Sequence, residues 1–193
     1  MVTTPPILRP IASELKTDRL HLRAPREGDG ERVYEAVVET LDQLRAWPAS
    51  LPWALVEPSV AVSETFCRES AAAFIKRSTL VYLVFDHAGN FVASTSLHRI
   101  NWAVPKFEVG YWCRASRQHQ GLMTEALGAL MRYAFDGLGA QRVEAFTEEQ
   151  NLASRLLCEK VGMQLEGIMR KDRITPSGSV RNTCIYAAVS SDQ

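Results

Sequence analysis

The 193-residue chain predicts one domain of mixed α/β architecture. Three observations predict it. Runs of β-branched and aromatic residues alternate with stretches whose apolar residues recur at helical spacing, in the order β-α-α-β-β-β-α-β-α-β-β. Two pairs of strand runs flank turn-forming residues, Asp86-His87-Ala88-Gly89-Asn90 and Pro176-Ser177-Gly178-Ser179, as hairpins require. No repeat, linker or low-complexity segment divides residues 1–193, and that length suits one full core.

Residues 1–13 are proline-rich and read as a loosely held arm. Leu20-His21-Leu22-Arg23 alternates as a half-buried strand does, and Pro25 ends it. Asp29 is placed to cap a helix containing Val33, Tyr34, Val37 and Val38. Between Leu44 and Trp53, Trp47, Pro48, Pro52 and Trp53 preclude a long regular element and make a rigid apolar wall. Glu57-Pro58-Ser59 opens a second helix, running to about Arg77, whose buried side reads as Val62, Phe66, Ala73 and Phe74. Leu80 to Phe85 and Phe91 to Leu97 form the first hairpin, with Phe107 to Cys113 as the next, antiparallel strand. Leu127, Leu130, Met131, Ala134 and Phe135 then mark a helix ending near Gly137 and Gly139. Arg142 to Thr147 is a further strand. Asn151 caps a short helix with Leu156, Leu157 and Val161 facing inward and Gly162 just past its end. Gln164 to Thr175 and Val180 to Val189 close the chain as a hairpin.

Bulk properties remove several classes of function. Lys+Arg and Asp+Glu both total 22, so no global positive charge favours nucleic acid. No apolar run approaches the ~20 residues that span a bilayer, and the N-terminus lacks the apolar region of a signal peptide. Cys67, Cys113, Cys158 and Cys184 are scattered in apolar contexts, without metal-ligand spacing, as reduced thiols of a cytoplasmic protein are. Monomer and homodimer are equally open.

The chemistry concentrates between the strand ending at Cys113 and the helix that follows. A polar, glycine-containing junction there points free backbone N–H groups and a helix dipole at one spot, which suits an anion such as phosphate. Within it, Gln118-His119-Gln120-Gly121-Leu122-Met123 resembles the Gln/Arg-x-x-Gly-x-Gly/Ala pyrophosphate loop of the Gcn5-related N-acetyltransferases, the GNAT family. Met123 departs from the last position, but Gly-x-Met-Thr-Glu-Ala is similar to the branch of the ribosomal-protein N-terminal acetyltransferases. Thr17-Asp18-Arg19-Leu20-His21-Leu22-Arg23 resembles the opening of that branch, and Asn151-Leu152-Ala153-Ser154 with Glu159-Lys160-Val161-Gly162-Met163 resembles a second family segment. The likeness runs from about residue 15 to 189.

The resemblance implies a mostly antiparallel central sheet with one splayed strand pair, helices on both faces, and acetyl-CoA in the gap. It implies direct transfer of the acetyl group to an amine: a protein N-terminus first, with small amines, amino acids or antibiotics, or a non-catalytic acyl-CoA sensor, as rivals. Gln118, His119, Gln120, Gly121, Leu122, Met123 and Thr124 would hold the pyrophosphate. Trp112, Cys113 and Arg114 would offer backbone groups to the pantetheine arm and thioester, and Asn151 would touch that arm besides capping its helix. Ser154 would lie against the cofactor and protonate the leaving thiolate. Glu166, in a segment similar to the family's G-F-x-x-E-G-x-x-R, and Glu108, on one strand face with Gly110 and Trp112, compete as general base. Trp47 and Trp53 would line the acceptor side. Gly110 in mid-strand suggests a bulge or a close backbone approach.

Overall fold

The computed structural model describes residues 5–190. Twelve regular elements follow a short turn at Pro6–Leu8: β1 (Glu14–Lys16), β2 (Leu20–Arg23), α1 (Gly30–Arg45), α2 (Val60–Lys76), β3 (Leu80–Asp86), β4 (Phe91–Asn101), β5 (Lys106–Cys113), α3 (Leu122–Arg132), β6 (Arg142–Glu148), α4 (Leu152–Lys160), β7 (Gln164–Ile174) and β8 (Val180–Val189). The eight strands form one sheet in the order β1-β2-β3-β4-β5-β6-β8-β7. Neighbours are antiparallel except β5 and β6, which run parallel.

The alternation of each strand sends its side chains to two cores. Leu20, Leu22, Val84, Phe107, Val143 and Tyr186 pack against Leu127, Leu130 and Met131 of α3. Val81, Leu83, Phe85 and Phe91 pack on the opposite face against Val33, Ala36 and Val37 of α1 and Cys67 of α2. Each fully buried large side chain contributes roughly 1.5–3 kcal/mol relative to exposure.

Several local expectations are revised. Strand β1 was not foreseen, because three residues with an exposed–intermediate–exposed pattern carry no periodic signal. Part of the arm is held: the Ala12 N–H donates to the Tyr133 hydroxyl at 2.6 Å, and the Tyr82 hydroxyl donates to the Ala12 carbonyl at 2.7 Å. Residues 1–4 lie outside the described residues. Asp29 precedes α1 but does not cap it; its carboxylate takes a bidentate pair from Arg23 at 2.7 and 2.6 Å. Glu64 of α2 accepts the Gly28 and Gly30 N–H groups instead. Ser59 does cap α2, accepting the Val62 N–H at 3.1 Å.

Two helices turn differently from their apolar stripes. In α2 the buried residues are Ser63, Cys67, Ser70 and Phe74, whereas Val62 and Phe66 are exposed. In α4 Leu156 is exposed and Cys158 is buried. In α2, Val62 and Phe66 line a cavity instead of the core.

Candidate active site

The parallel pair β5–β6 holds for three residues, Lys106↔Arg142, Phe107↔Val143 and Glu108↔Glu144, and then parts. Each strand is kept by its other neighbour. β4 carries β5 up to Ala93↔Cys113, and β8 carries β6 up to Glu148↔Thr183. The sheet therefore opens between Val109–Cys113 and Ala145–Glu148 without losing either flank. Ladder parity determines which groups face the opening. The Arg114 N–H donates to the Val92 carbonyl at 2.9 Å, and hydrogen-bonded pairs alternate along an antiparallel ladder. Arg114 and Trp112 thus spend their backbone on β4, while Tyr111 and Cys113 turn theirs to the gap. Of the three residues expected there, Cys113 turns its backbone to the gap, Trp112 and Arg114 turn theirs to β4, and Tyr111 faces the gap beside Cys113.

A tight bend joins β5 to α3 at the mouth of this opening. His119 and Gly121 both adopt the left-handed conformation, with φ of +59° and +75°. No side chain caps α3, and the first N–H engaged inside the chain is that of Glu125, donated to the Gly121 carbonyl at 3.1 Å. The N–H groups ahead of it, from His119 to Thr124, form a bare anion-binding end. Carboxylates hold the bend from behind. Glu125 takes Arg19 at 2.6 Å, and Arg19 also donates to the Gln120 carbonyl. Glu39 of α1 takes Arg114 at 2.6 Å and the Ser116 N–H at 2.7 Å. Partial burial raises the Glu39 carboxyl, but the Ser116 and Arg114 hydrogen bonds outweigh it and hold the pKa near about 2. Arg117 pairs with Asp86, and Gln118 donates to Gln43 and to the Cys113 carbonyl. These side chains are committed to the scaffold, so backbone N–H groups are left for the ligand. Leu122 is core, and His119 and Gln120 are exposed.

Across the gap, Asn151 caps α4 by accepting the Ser154 N–H at 3.1 Å. The Ser154 hydroxyl lies 2.8 Å from the Tyr111 hydroxyl, which is 3.2 Å from the Cys158 thiol. Burial pushes the Tyr111 phenol well above its ordinary pKa, so it holds its proton at neutral pH. Tyr111 was missed by the sequence reading. The signal was its strand parity, opposite to Glu108, Gly110 and Trp112 and therefore toward α4. Burial also pushes the Cys113 and Cys158 thiols up to about 11, so neither is a ready nucleophile.

The other face carries a cavity of about 490 Å³ between the sheet and α1–α2. Trp53, Val62 and Phe66 form its apolar wall, and Ser94, Ser96 and His98 its polar floor. Trp53 lies 6.0 Å from Trp112, which lies 5.5 Å from Phe91, a tilted aromatic stack that fixes the wall. Trp47 does not line this cavity; its carbonyl accepts the Ser50 and Leu51 N–H groups and shapes the loop.

The rival carboxylates have different settings. Glu166 is exposed on β7, clamped by Arg142 at 2.7 and 2.6 Å. Those hydrogen bonds hold its pKa below the ordinary range, the reverse of what a base near neutral pH needs. Glu108 is buried beneath the cavity, with His98 Nε2 at 3.1 Å and Arg99 Nε at 3.5 Å. Gly110 adjoins it by close approach, with no bulge there: a Cβ would stand 3.0 Å from His98 Cε1 and 3.0 Å from Ser96 Oγ.

These features set a bare helix start and a split sheet beside an apolar-walled cavity. The chain matches the family described as Acetyltransferase (GNAT) domain over residues 19–164, and it belongs to that family. It is 24% identical over 175 residues to the uncharacterized N-acetyltransferase YoaA of Bacillus subtilis, covering 91% of this chain and 96% of the relative. It is 26% identical over 156 residues to the putative ribosomal N-acetyltransferase YdaF of the same organism, covering 79% and 82%. Among solved structures, the ribosomal L7/L12 acetyltransferase RimL with coenzyme A superposes with a TM-score of 0.82 at 24% identity, covering 92% of this chain and 97% of that one. The microcin C7 self-immunity acetyltransferase MccE, with acetyl-CoA and AMP, gives 0.83 at 21%, covering 93% and 97%. At these identities the structural likeness is one of fold.

Proposed function

We propose that this acetyltransferase passes the acetyl group of acetyl-CoA directly to the N-terminal amine of a protein or peptide, an acceptor of the ribosomal-protein kind. One observation carries the choice of acceptor. The cavity beside the split strands has a rim of exposed apolar residues, Trp53, Val62 and Phe66, continued by Leu55 and Val56. A peptide can lay its first side chains on such a rim while its amine reaches Tyr111 and Trp112 at the gap.

Acetyl-CoA supplies the acetyl group as a thioester. The N–H groups from His119 to Thr124 hold its pyrophosphate, and the gap-facing backbone of Tyr111 and Cys113 receives the pantetheine arm. Ser154 protonates the departing thiolate, with the Tyr111 phenol behind it as proton donor. The amine's proton is drawn off on the Glu108 side of the cavity rather than by Glu166, because Glu166 is clamped by Arg142. The raised Cys113 and Cys158 pKa values support transfer without an acetyl-enzyme.

A cavity of about 490 Å³ also fits a small amine, since small-molecule sites span roughly 300–1,000 Å³. Thiol release from acetyl-CoA, measured with peptides bearing Ser, Ala or Met N-termini, amino acids, polyamines and aminoglycosides, separates the readings. Turnover with peptides supports the proposal. Turnover confined to small amines, or binding of acetyl-CoA without turnover, overturns it.

A further inference from the structure

We propose that His98 is the general base of the transfer, with Glu108 acting as its positioning partner rather than taking the proton itself. The inference rests on the acetyltransfer reading above and names the group that meets the amine.

Four observations carry it. His98 and Ser96 line the acceptor cavity, and Glu108 does not. The imidazole lines the cavity and also touches the buried carboxylate, so it links the two. Second, the contacts suit one tautomer. A carboxylate only accepts, so a proton on Nε2 of His98 faces Glu108 Oε1, 3.1 Å away. That leaves the Nδ1 lone pair facing Ser96 Oγ at 3.4 Å on the cavity side. Carboxylate, imidazole and hydroxyl are thereby in series.

Third, the backbone beyond His98 is distorted. In a regular strand His98 and Arg99 would point to opposite faces. The β4–β5 register shifts between His98 and Asn101, and Arg99 adopts a φ of +46°. A non-glycine residue there costs of order 1–3 kcal/mol. The result is that Arg99 reaches, at 3.5 Å, the carboxylate that His98 meets at 3.1 Å through the regular register. Fourth, the residue facing Ser96 across the ladder is Gly110, where a Cβ would stand 3.0 Å from both Ser96 Oγ and His98 Cε1. The imidazole occupies the space of an absent side chain.

The charges around this group are accounted for. Glu108 from β5 and Arg99 from its own strand face it. Glu144, paired with Glu108 across to β6, is neutralised by Lys106 at 2.9 Å and Arg142 at 2.9 Å. α1 and α2 bring Val33, Val37, Val62, Ser63 and Phe66 to the cavity, with no charge.

The step balances. The neutral amine's nitrogen bonds to the thioester carbonyl carbon and the carbon–sulfur bond breaks. One proton passes from that nitrogen to His98 Nδ1, directly or across Ser96 Oγ. The sulfur leaves as thiolate and takes one proton from Ser154. His98 returns its proton to solvent at the cavity mouth, and Ser154 regains one from the Tyr111 hydroxyl, which is reprotonated in turn from solvent.

Two measurements test this on the full chain. With the best acceptor of the amine panel, whatever its class, His98→Gln should lower kcat by about 10²–10⁴-fold and abolish the acid limb of the kcat/KM profile. Acetyl-CoA affinity by calorimetry should be unchanged. Glu108→Gln should keep that limb but lower kcat. If Glu108→Gln abolishes the limb and His98→Gln retains it, the carboxylate is the base and the proposal fails. The second measurement needs no turnover: ¹⁵N spectra of the imidazole should report the Nε2–H tautomer, and Glu108→Gln should alter it. An Nδ1–H tautomer in the wild type overturns the proposal even where no acceptor is turned over. Loss of the peptide-acceptor reading alone leaves both readouts intact.

Discussion

Gly121→Ala tests the cofactor bend at its narrowest point. The φ of +75° is where an L-residue is penalised by roughly 1–2 kcal/mol. Space does not add to that cost, because a Cβ would lie 3.6 Å from Arg19 Nη2, an ordinary contact. The whole penalty is conformational, and it can be charged in two ways. If the bend relaxes in the free protein, the cost returns on binding, and at 1.4 kcal/mol per tenfold the Kd for acetyl-CoA rises by about 5–30-fold. If the scaffold of Glu39, Glu125 and Arg19 holds the bend, the cost falls on stability, and Tm drops by about 2–8 °C. Calorimetric Kd and a thermal melt of the same sample apportion the two. At saturating acetyl-CoA kcat should change little, since the pyrophosphate is held equally before and during transfer. Unchanged Kd together with unchanged Tm would refute the account. So would a Kd loss far beyond 10²-fold, which requires a clash that the geometry does not contain.

Glu166→Gln should leave kcat and its pH profile within a few-fold of wild type and cost under about 1 kcal/mol in urea unfolding, because the Arg142 pair is solvent-screened. Its depressed pKa makes that contribution present above the carboxylate's unfolded pKa and lost as pH falls through the lower folded value; a large kcat loss would return the base to Glu166. Ser154→Ala should lower kcat about 10–100-fold, and Tyr111→Phe combined with it should add little, because the two hydroxyls act in series; additive losses would separate them. Glu39→Gln should flatten acid unfolding, since a pKa held near about 2 gives stability that is full above the unfolded carboxylate range and is lost as pH falls toward 2. Acid melts of the two proteins check the sign. Iodoacetamide at neutral pH should inactivate slowly and without protection by acetyl-CoA, because burial holds Cys113 and Cys158 near about 11; rapid, acetyl-CoA-protected loss would restore a covalent route.

The sequence by itself determined the order of the elements from β2 onward, both hairpins, the α3 helix with its bare start at Gly121, the Asn151 cap and the start of α2 near Pro58 and Ser59. These depend on neighbours within a few residues, where φ preferences, side-chain period and capping oxygens act locally. It also carried the family, through the loop from Gln118 to Met123 and the segment from Asn151. Tertiary structure decided the rest. Whether Val62 and Phe66 are core or cavity wall depends on what α2 faces, and a helical stripe reads the same in both cases. Which backbone groups of Tyr111, Trp112, Cys113 and Arg114 face the gap depends on ladder parity with β4, set by one bond from Arg114 to Val92. Glu166 met Arg142, 24 residues away and two strands over in the sheet, and Glu108 met His98 on the adjacent strand; the Arg142 hydrogen bonds lower the Glu166 pKa whatever its motif. His98 carried no motif at all, and it meets Glu108 because the β4–β5 ladder sets the two opposite each other, while the shift beyond it brings Arg99 to the same carboxylate.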